Sequence, residues 1–427
     1  MRIRTWATAA VALTGMASTT ACSSGPASAP NTNNGANAGG TIRVSATVSD
    51  KPAMEAVIAA FKQASPNDTV KGEYLDTEPM QAAIRTQLAA GNAWDVMFVW
   101  AGNGNPGALQ VLQPNGYLTD LSDRPWAGKI PEGLRSVTQV GGKTYLLPMA
   151  FSGIGAIYNQ TALTAIGATP PKTWTELLTF CDTAKAKGKA AFALGNQTNW
   201  VTQLVNYALV PTTVYATTPD FDQRMAAGTA KFVGSGWETA MNKYLEMNRR
   251  GCFQKNPNGT SVDAATSQAA KGETVGIVQG SFQLAALQAA APADTKFVMT
   301  ALPATDNPAE FKMAGAAGAT FALNAKARNK DLAVKFLDFM AQPENMNLWA
   351  KTGGSLPAFA NDQFSADGTL AEFVTYQKEG RTVPFMDQLW PNSKVQATHL
   401  TGVQDMFAGK ATPAQVLGRM DAEYQKK

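Results

Sequence analysis

The chain has 427 residues, about twice what one hydrophobic core usually serves, so two domains are expected. With 45% hydrophobic residues, 16% charged residues, a net charge of +4 and no Lys/Arg run, it reads as globular and not as a nucleic-acid partner. One histidine, His399, and three cysteines leave almost nothing for a His- or Cys-based metal site, and no cofactor is expected. A carboxylate Ca²⁺ site stays open, although no Asp-x-Asp-x-Asp-Gly loop is present.

In chain order, residues 1–21 read as an export signal: Arg2 and Arg4, then a short apolar stretch, then small residues up to Ala21. Cys22 stands where bacterial lipoproteins carry the lipidated cysteine, although Thr19 replaces the usual Leu of that motif. An ordinary secreted protein with an isolated cysteine is the alternative. Residues 22–40 contain nothing able to build a core and read as a flexible tether, with a reach of roughly 20–25 Å. The remaining pair, Cys181 and Cys252, is open to two readings in an oxidising compartment: a disulfide, or two separate buried thiols.

From Thr41 the pattern alternates as a strand through Ile42, Val44, Ala46 and Val48; Met54, Val57, Ile58 and Phe61 then follow helical spacing. A strand over Thr69–Leu75, a helix over Pro79–Ala90 stopped by Gly91, and a third strand in WDVMFVW come next. Strand, helix, strand, helix, strand predicts a parallel sheet with helices on its faces. Thr173 and Glu176 have capping-box spacing ahead of Trp174, Leu177, Leu178 and Cys181. KFVMTALP and GATFALNA read as strands, and NKDLAVKFLDFMAQP as a helix. Thr412 and Pro413 open a last helix with Val416, Leu417 and Met420 inward.

Two motif matches carry no chemistry. Gly102 to Gly107 spells GxGxxG after a strand, but Pro114-Asn115-Gly116 interrupts the helix that a dinucleotide fold needs. Gly141-Gly142-Lys143-Thr144 lacks the leading glycine of a P-loop, since Val137 stands there. Neither GxSxG nor HExxH occurs. What stands out is aromatic residues at loop positions: Trp100, Phe151, Trp200, Phe282 and Trp390. Planar amides accompany them, at Asn103, Gln197, Asn199, Gln279, Gln388 and Asn392. Flat faces suit the C–H surfaces of a sugar ring and amides suit its hydroxyls, whereas packing in a core is the competing role.

GKTYLLPMAFSGIGAIYNQTAL, followed by PPKTWTELLTFCDTAKAKGKAAFALG, resembles the bacterial extracellular solute-binding proteins that feed carbohydrate ABC importers, of the maltose-binding type. The likeness runs from about residue 41 to 427. It implies an α/β fold of two lobes (class II) around a cleft, with crossings near Pro148–Ser152, Pro303 and Gln342–Leu348. The first lobe would then be 41–149 plus 304–345 and the second 150–303 plus 346–427. By position, Trp100, Ser152, Trp200, Phe282 and Trp390 are expected at the cleft, with Phe151, Asn103 and Gly315 near them. Asp50, Lys51, Asp76 and Glu78 resemble polar contacts from the first lobe, or else are solvated charges at helix starts. Some relatives carry a carboxylate at Ser152 and charges at Gly102-Asn103, so the particular sugar does not carry over. The resemblance implies a monomeric receptor, lipid-anchored outside the cell membrane, that binds a carbohydrate without chemistry and delivers it to ABC permease subunits. A receptor for a non-sugar solute and a secreted carbohydrate-active enzyme are the alternatives.

Overall fold

The computed structural model describes residues 39–426. The export signal, Cys22 and all of the tether except Gly39 and Gly40 lie outside the described residues.

Strand β1 (Thr41–Thr47) buries Ile42, Val44 and Ala46 completely, as its alternation predicts. Helix α1 (Lys51–Ala64) follows, with Met54, Val57 and Phe61 inward. Strand β2 (Thr69–Leu75) pairs parallel with β1 over its whole length, and helix α2 (Thr77–Ala90) ends at Gly91. Strand β3 (Val96–Phe98) then pairs parallel with β1 on the other side. The sheet is completed by two later segments, Thr320–Leu323 against β3 and Leu147–Pro148 at the edge, both antiparallel to their neighbours.

The second sheet is built around one long strand, Ala150–Asn159, in which every residue is buried. Each flank of this strand carries two partners in series. Met313–Ala317 and Phe297–Thr300 lie on one side; Leu356–Pro357 and Thr274–Gly280 lie on the other. Ala190–Ala193 extends the sheet beyond Thr274–Gly280, in parallel. A strand this apolar and covered on both faces reads as a continuous hydrophobic run, as AFSGIGAIYN does. Ile157 packs into one core and its neighbours Ala156 and Tyr158 into another.

The chain passes from the first sheet to the second at Met149. It returns between Ala317 and Thr320, not near Pro303, because Met313–Ala317 pairs with the long strand. The next passage also falls later than Gln342–Leu348. Helix Pro343–Gly353 packs on α1, and its Trp349 meets Phe321 of the first sheet edge-on at 5.3 Å; the following strand, Leu356–Pro357, belongs to the second sheet. An antiparallel return strand and a docked amphipathic helix leave no local signal of which sheet they join.

Cys181 and Cys252 form a disulfide in the second core. Thr173 caps its helix by accepting from the Glu176 amide, but the Glu176 carboxylate reaches the Lys172 amide instead of closing the box. Thr412 and Gln415 make the reciprocal box in full. Among the described residues no helix is long and apolar enough to cross a membrane, and no group of three His, Cys, Asp or Glu side chains stands close enough to hold a metal ion.

Candidate functional site: a cavity between the two sheets

Parallel strands release their chains at one edge, and ligands of open α/β folds collect there. All three parallel strands of the first sheet obey this. Thr47, Ser49 and Asp50 follow β1, Thr77, Glu78 and Gln81 follow β2, and Trp100, Asn105 and Pro106 follow β3; all line one cavity of about 310 Å³. That volume sits at the lower end of the range for small-molecule sites, about 300–1,000 Å³. The facing wall is formed by Asn199, Trp200, Gln203, Tyr207, Phe282, Phe385, Asp387, Gln388 and Gln396, with Ala317–Ala319, where the chain crosses between the sheets, also lining the cavity.

Trp100 is held open to this cavity by its loop. Its amide donates to Gly107 O at 3.2 Å, and Leu109 N returns a bond to Trp100 O at 2.8 Å. The Asn105 side chain accepts from Gly107 N at 3.0 Å and tightens the same loop. A Cβ on Gly107 would stand 2.9 Å from the indole, so a glycine is needed where the returning chain lies against the ring. Phe98 supports the indole from the side at 4.8 Å. Across the cavity Trp200 and Phe282 lean together, with ring centroids 6.2 Å apart. Trp100, Trp200, Phe282 and Phe385 are all half-buried.

The polar lining is acidic. Asp50, Glu78 and Asp387 face the cavity, and among the described residues no Lys, Arg or His lines it. Asp50 accepts from the Thr47 hydroxyl at 2.5 Å, and burial nevertheless pushes its carboxyl up to about 6. Burial also raises Asp387 to about 6, with partial relief from the Tyr207 hydroxyl beside it. That hydroxyl approaches the carboxylate without a hydrogen bond of good geometry and has no other partner. Gln388 donates through Nε2 to Ala317 O at 2.9 Å, which fixes its amide and leaves Oε1 unpartnered.

Five of the residues expected at the cleft line this cavity: Asp50, Glu78, Trp100, Trp200 and Phe282. Seven do not. Trp390 is 2% exposed and packs among Phe232, Trp237, Tyr207 and His399, as an ordinary core indole. Ser152 is buried in the central strand behind Gly318, whose Cβ position would lie 2.2 Å from the serine Oγ. Phe151 stacks on Phe373 at 5.6 Å, and with Gly315 it lines a separate cavity of about 230 Å³. Lys51 lies over the Tyr74 ring at 5.5 Å, and Asp76 is exposed at the start of α2. Asn103 is taken up by contact with the second lobe: its side chain donates to Pro391 O and its amide to Gln388 O at 3.2 Å.

Sequence reasoning missed Tyr207, Phe385, Asp387, Gln203 and Gln396. Phe385 and Asp387 flank the aromatic-amide signal at Gln388 and Trp390, and that signal marked the right segment with the wrong side chain. Tyr207 lies in the helix Leu204–Thr213, buried from Leu204 to Thr212, where nothing local separates a cavity residue from a core residue. A larger groove of about 780 Å³ runs between α1, Pro343–Gly353 and Phe364–Leu370. It gathers one carboxylate, Asp367, one cation, Lys351, and no Trp or Tyr, so it lacks the convergent chemistry of the interlobe cavity.

A family model for bacterial extracellular solute-binding proteins matches residues 56–375. The chain belongs to that family. Its members are extracellular, so the protein is exported. A binding protein of Brucella abortus is 24% identical over 379 residues, 86% of this chain and 87% of its own. The multiple sugar-binding protein of Streptococcus mutans is 22% identical over 309 residues, 71% of each chain. Among solved structures, a chitin oligosaccharide binding protein superimposes with a TM-score of 0.76 at 20% identity, covering 90% of this chain and 98% of its own. The α/β fold is therefore the two-lobe fold of these proteins. Both the family and the neighbouring structures are binding proteins, not enzymes.

Proposed function

We propose that this solute-binding protein is the receptor of a carbohydrate ABC importer, capturing a mono- or oligosaccharide between its lobes and presenting it to the permease subunits. The observation that carries the reading is the lining of the interlobe cavity. Trp100 from one lobe and Trp200, Phe282 and Phe385 from the other offer flat faces, with amides and carboxylates set between them. Such faces bury the C–H surfaces of a pyranose while the polar groups take its hydroxyls. The sugar-binding names of the Streptococcus mutans relative and of the chitin oligosaccharide binding structure support it.

In this reading the first lobe is 41–149 with 320–353 and the second is 150–317 with 356–426. Hinge motion at the three crossings closes the cleft, and water exclusion then strengthens the hydrogen bonds to the sugar. A lipid on Cys22 holds the protein, as a monomer, at the outer face of the membrane. No bond in the ligand is made or broken.

Thermal unfolding of refolded protein against a panel of mono- and oligosaccharides tests this. A ligand at 100 times its Kd adds about 2.7 kcal/mol to the native state, a shift of a few degrees. One clear hit, with the sugar recovered unchanged, is the expected result. Turnover of the sugar would move the protein to the carbohydrate-active enzymes, and a flat response would remove the carbohydrate assignment.

A further inference from the structure

The charge of the cavity narrows what it takes. Among the described residues, three carboxylates and no basic side chain line it. Two of the three have an ordinary structural setting, because Asp50 and Glu78 stand at the first turns of α1 and α2, where a helix favours negative charge. Asp387 has no such setting. It is 8% exposed, lies in a single short turn (Met386–Leu389), and makes no ion pair with any described residue. Its carboxylate reaches to the backbone of the facing lobe, since a Cβ on Gly104 would stand 2.5 Å from Oδ2.

Around Asp387 the unpartnered atoms can all accept a hydrogen bond, and the Tyr207 hydroxyl can donate one as well. Gln388 is 6% exposed with its carbonyl Oε1 unpartnered, and Tyr207 is 1% exposed with its hydroxyl unpartnered. Both residues line the cavity. Buried acceptors left without donors are costly, and a buried carboxylate without a cation more so. A ligand group made only of donors and carrying positive charge is the complement of the Asp387 carboxylate and of these neighbouring acceptors. Aromatic faces at the same cavity attract such a charge further.

We infer that the solute is a glycan bearing a protonated amine, whose ammonium group docks on Asp387 and Gln388 beside Tyr207. A glycan bearing a carboxylate or phosphate would meet only like charge. The inference rests on the carbohydrate reading above and specifies its substrate class.

The test uses sets of saccharides differing only in charge, titrated calorimetrically into the refolded protein. Glucose, glucosamine and glucuronic acid form one set. Galactose, galactosamine and galacturonic acid form a second, and cello-oligosaccharides against fully deacetylated chito-oligosaccharides form a third. Within a set that binds, the amine is expected to bind at least ~10-fold more tightly than the neutral sugar, and the acid more weakly than both. Asp387→Asn is expected to bring the ratio of amine to neutral affinity close to one. The wild-type ratios decide the matter even if that variant folds poorly. A neutral sugar binding as tightly as its amine overturns the inference and leaves the sugar receptor standing. Failure of every saccharide, whatever its charge, overturns both.

Discussion

Two aromatic neighbourhoods lie within a few residues of each other in the second lobe and do opposite things. Trp200, Phe282 and Phe385 are half-buried and stand along the cavity wall, with Trp200 and Phe282 meeting each other at 6.2 Å. Trp390, Trp237, Phe232, Tyr207 and His399 form a closed nest in which Trp390 touches four rings. At Trp200, Phe282 and Trp390 the local sequences are alike, an aromatic close to amides. The difference is what stands opposite: the other lobe across a gap for the first group, and packed helices for the second. Tyr207 belongs to both, since its ring packs in the nest and the residue also lines the cavity. An aromatic residue is thus a binding surface only where the fold leaves one face uncovered.

The largest effect should come from breaking the nest. Trp390→Ala removes an indole with no room for its neighbours to collapse, and should cost about 3–5 kcal/mol in urea unfolding. An unchanged midpoint would show that the nest is not a packed core. Reducing Cys181–Cys252, which spans 71 residues of the same lobe, should cost about 4 kcal/mol by the chain-entropy account. The check is denaturation with and without dithiothreitol, with Cys181→Ser as a control that no longer responds.

Asp387 sharpens the comparison, because it lies three residues from Trp390 yet faces the cavity. Its folded pKa of about 6 exceeds the usual carboxylate value of about 3.9, so the folded state holds the proton more tightly than the unfolded chain. This contribution favours the fold below about pH 4 and is lost as pH rises to about 6. Asp387→Asn should therefore be more stable than wild type at pH 7.5, by up to about 3 kcal/mol, with the difference vanishing below about pH 4. His399, which burial lowers to about 3, acts oppositely: its contribution is present above about pH 6.5 and fades as pH falls toward 3. Taking the difference between variant and wild type cancels it. A difference that does not change with pH would show that folding leaves the Asp387 pKa unshifted.

The smallest stability effects should come from the open group. Trp100→Ala and Trp200→Ala should weaken ligand binding about 10- to 100-fold, or 1.4–2.8 kcal/mol. Their unfolding midpoints should move far less than that of Trp390→Ala. Loss of stability with unchanged affinity would place these indoles in the core and erase the distinction.

Much of this was legible because the physics is local. Helix starts such as Thr412-Pro413 and strand alternation in Ile42, Val44 and Ala46 depend on a few neighbouring residues, and each formed where the pattern put it. Trp100 was legible for the same reason: an indole after a buried strand and ahead of glycines has to leave the core. Trp390 and Ser152 were misplaced because nothing local marks whether a loop indole is later roofed over, or whether a strand serine faces a cleft or the next backbone. The sheet membership of Met313–Ala317 was opaque too, since an apolar strand fits either sheet equally well.

The sequence by itself therefore determined the elements, the α/β class, the family and the edge of the first sheet where a ligand would be met. The elements, the class and the sheet edge follow from periodicity, capping and the strand-helix order, and the family from the resemblance of its motifs. Only the tertiary structure decided that Asp387, Tyr207 and Gln388 share one cavity with Trp100, with no basic side chain among the described residues that line it. Residues 100, 207 and 387 are far apart along the chain. What brings them together is the passage of the chain between two sheets, a long-range event that no short window of residues encodes.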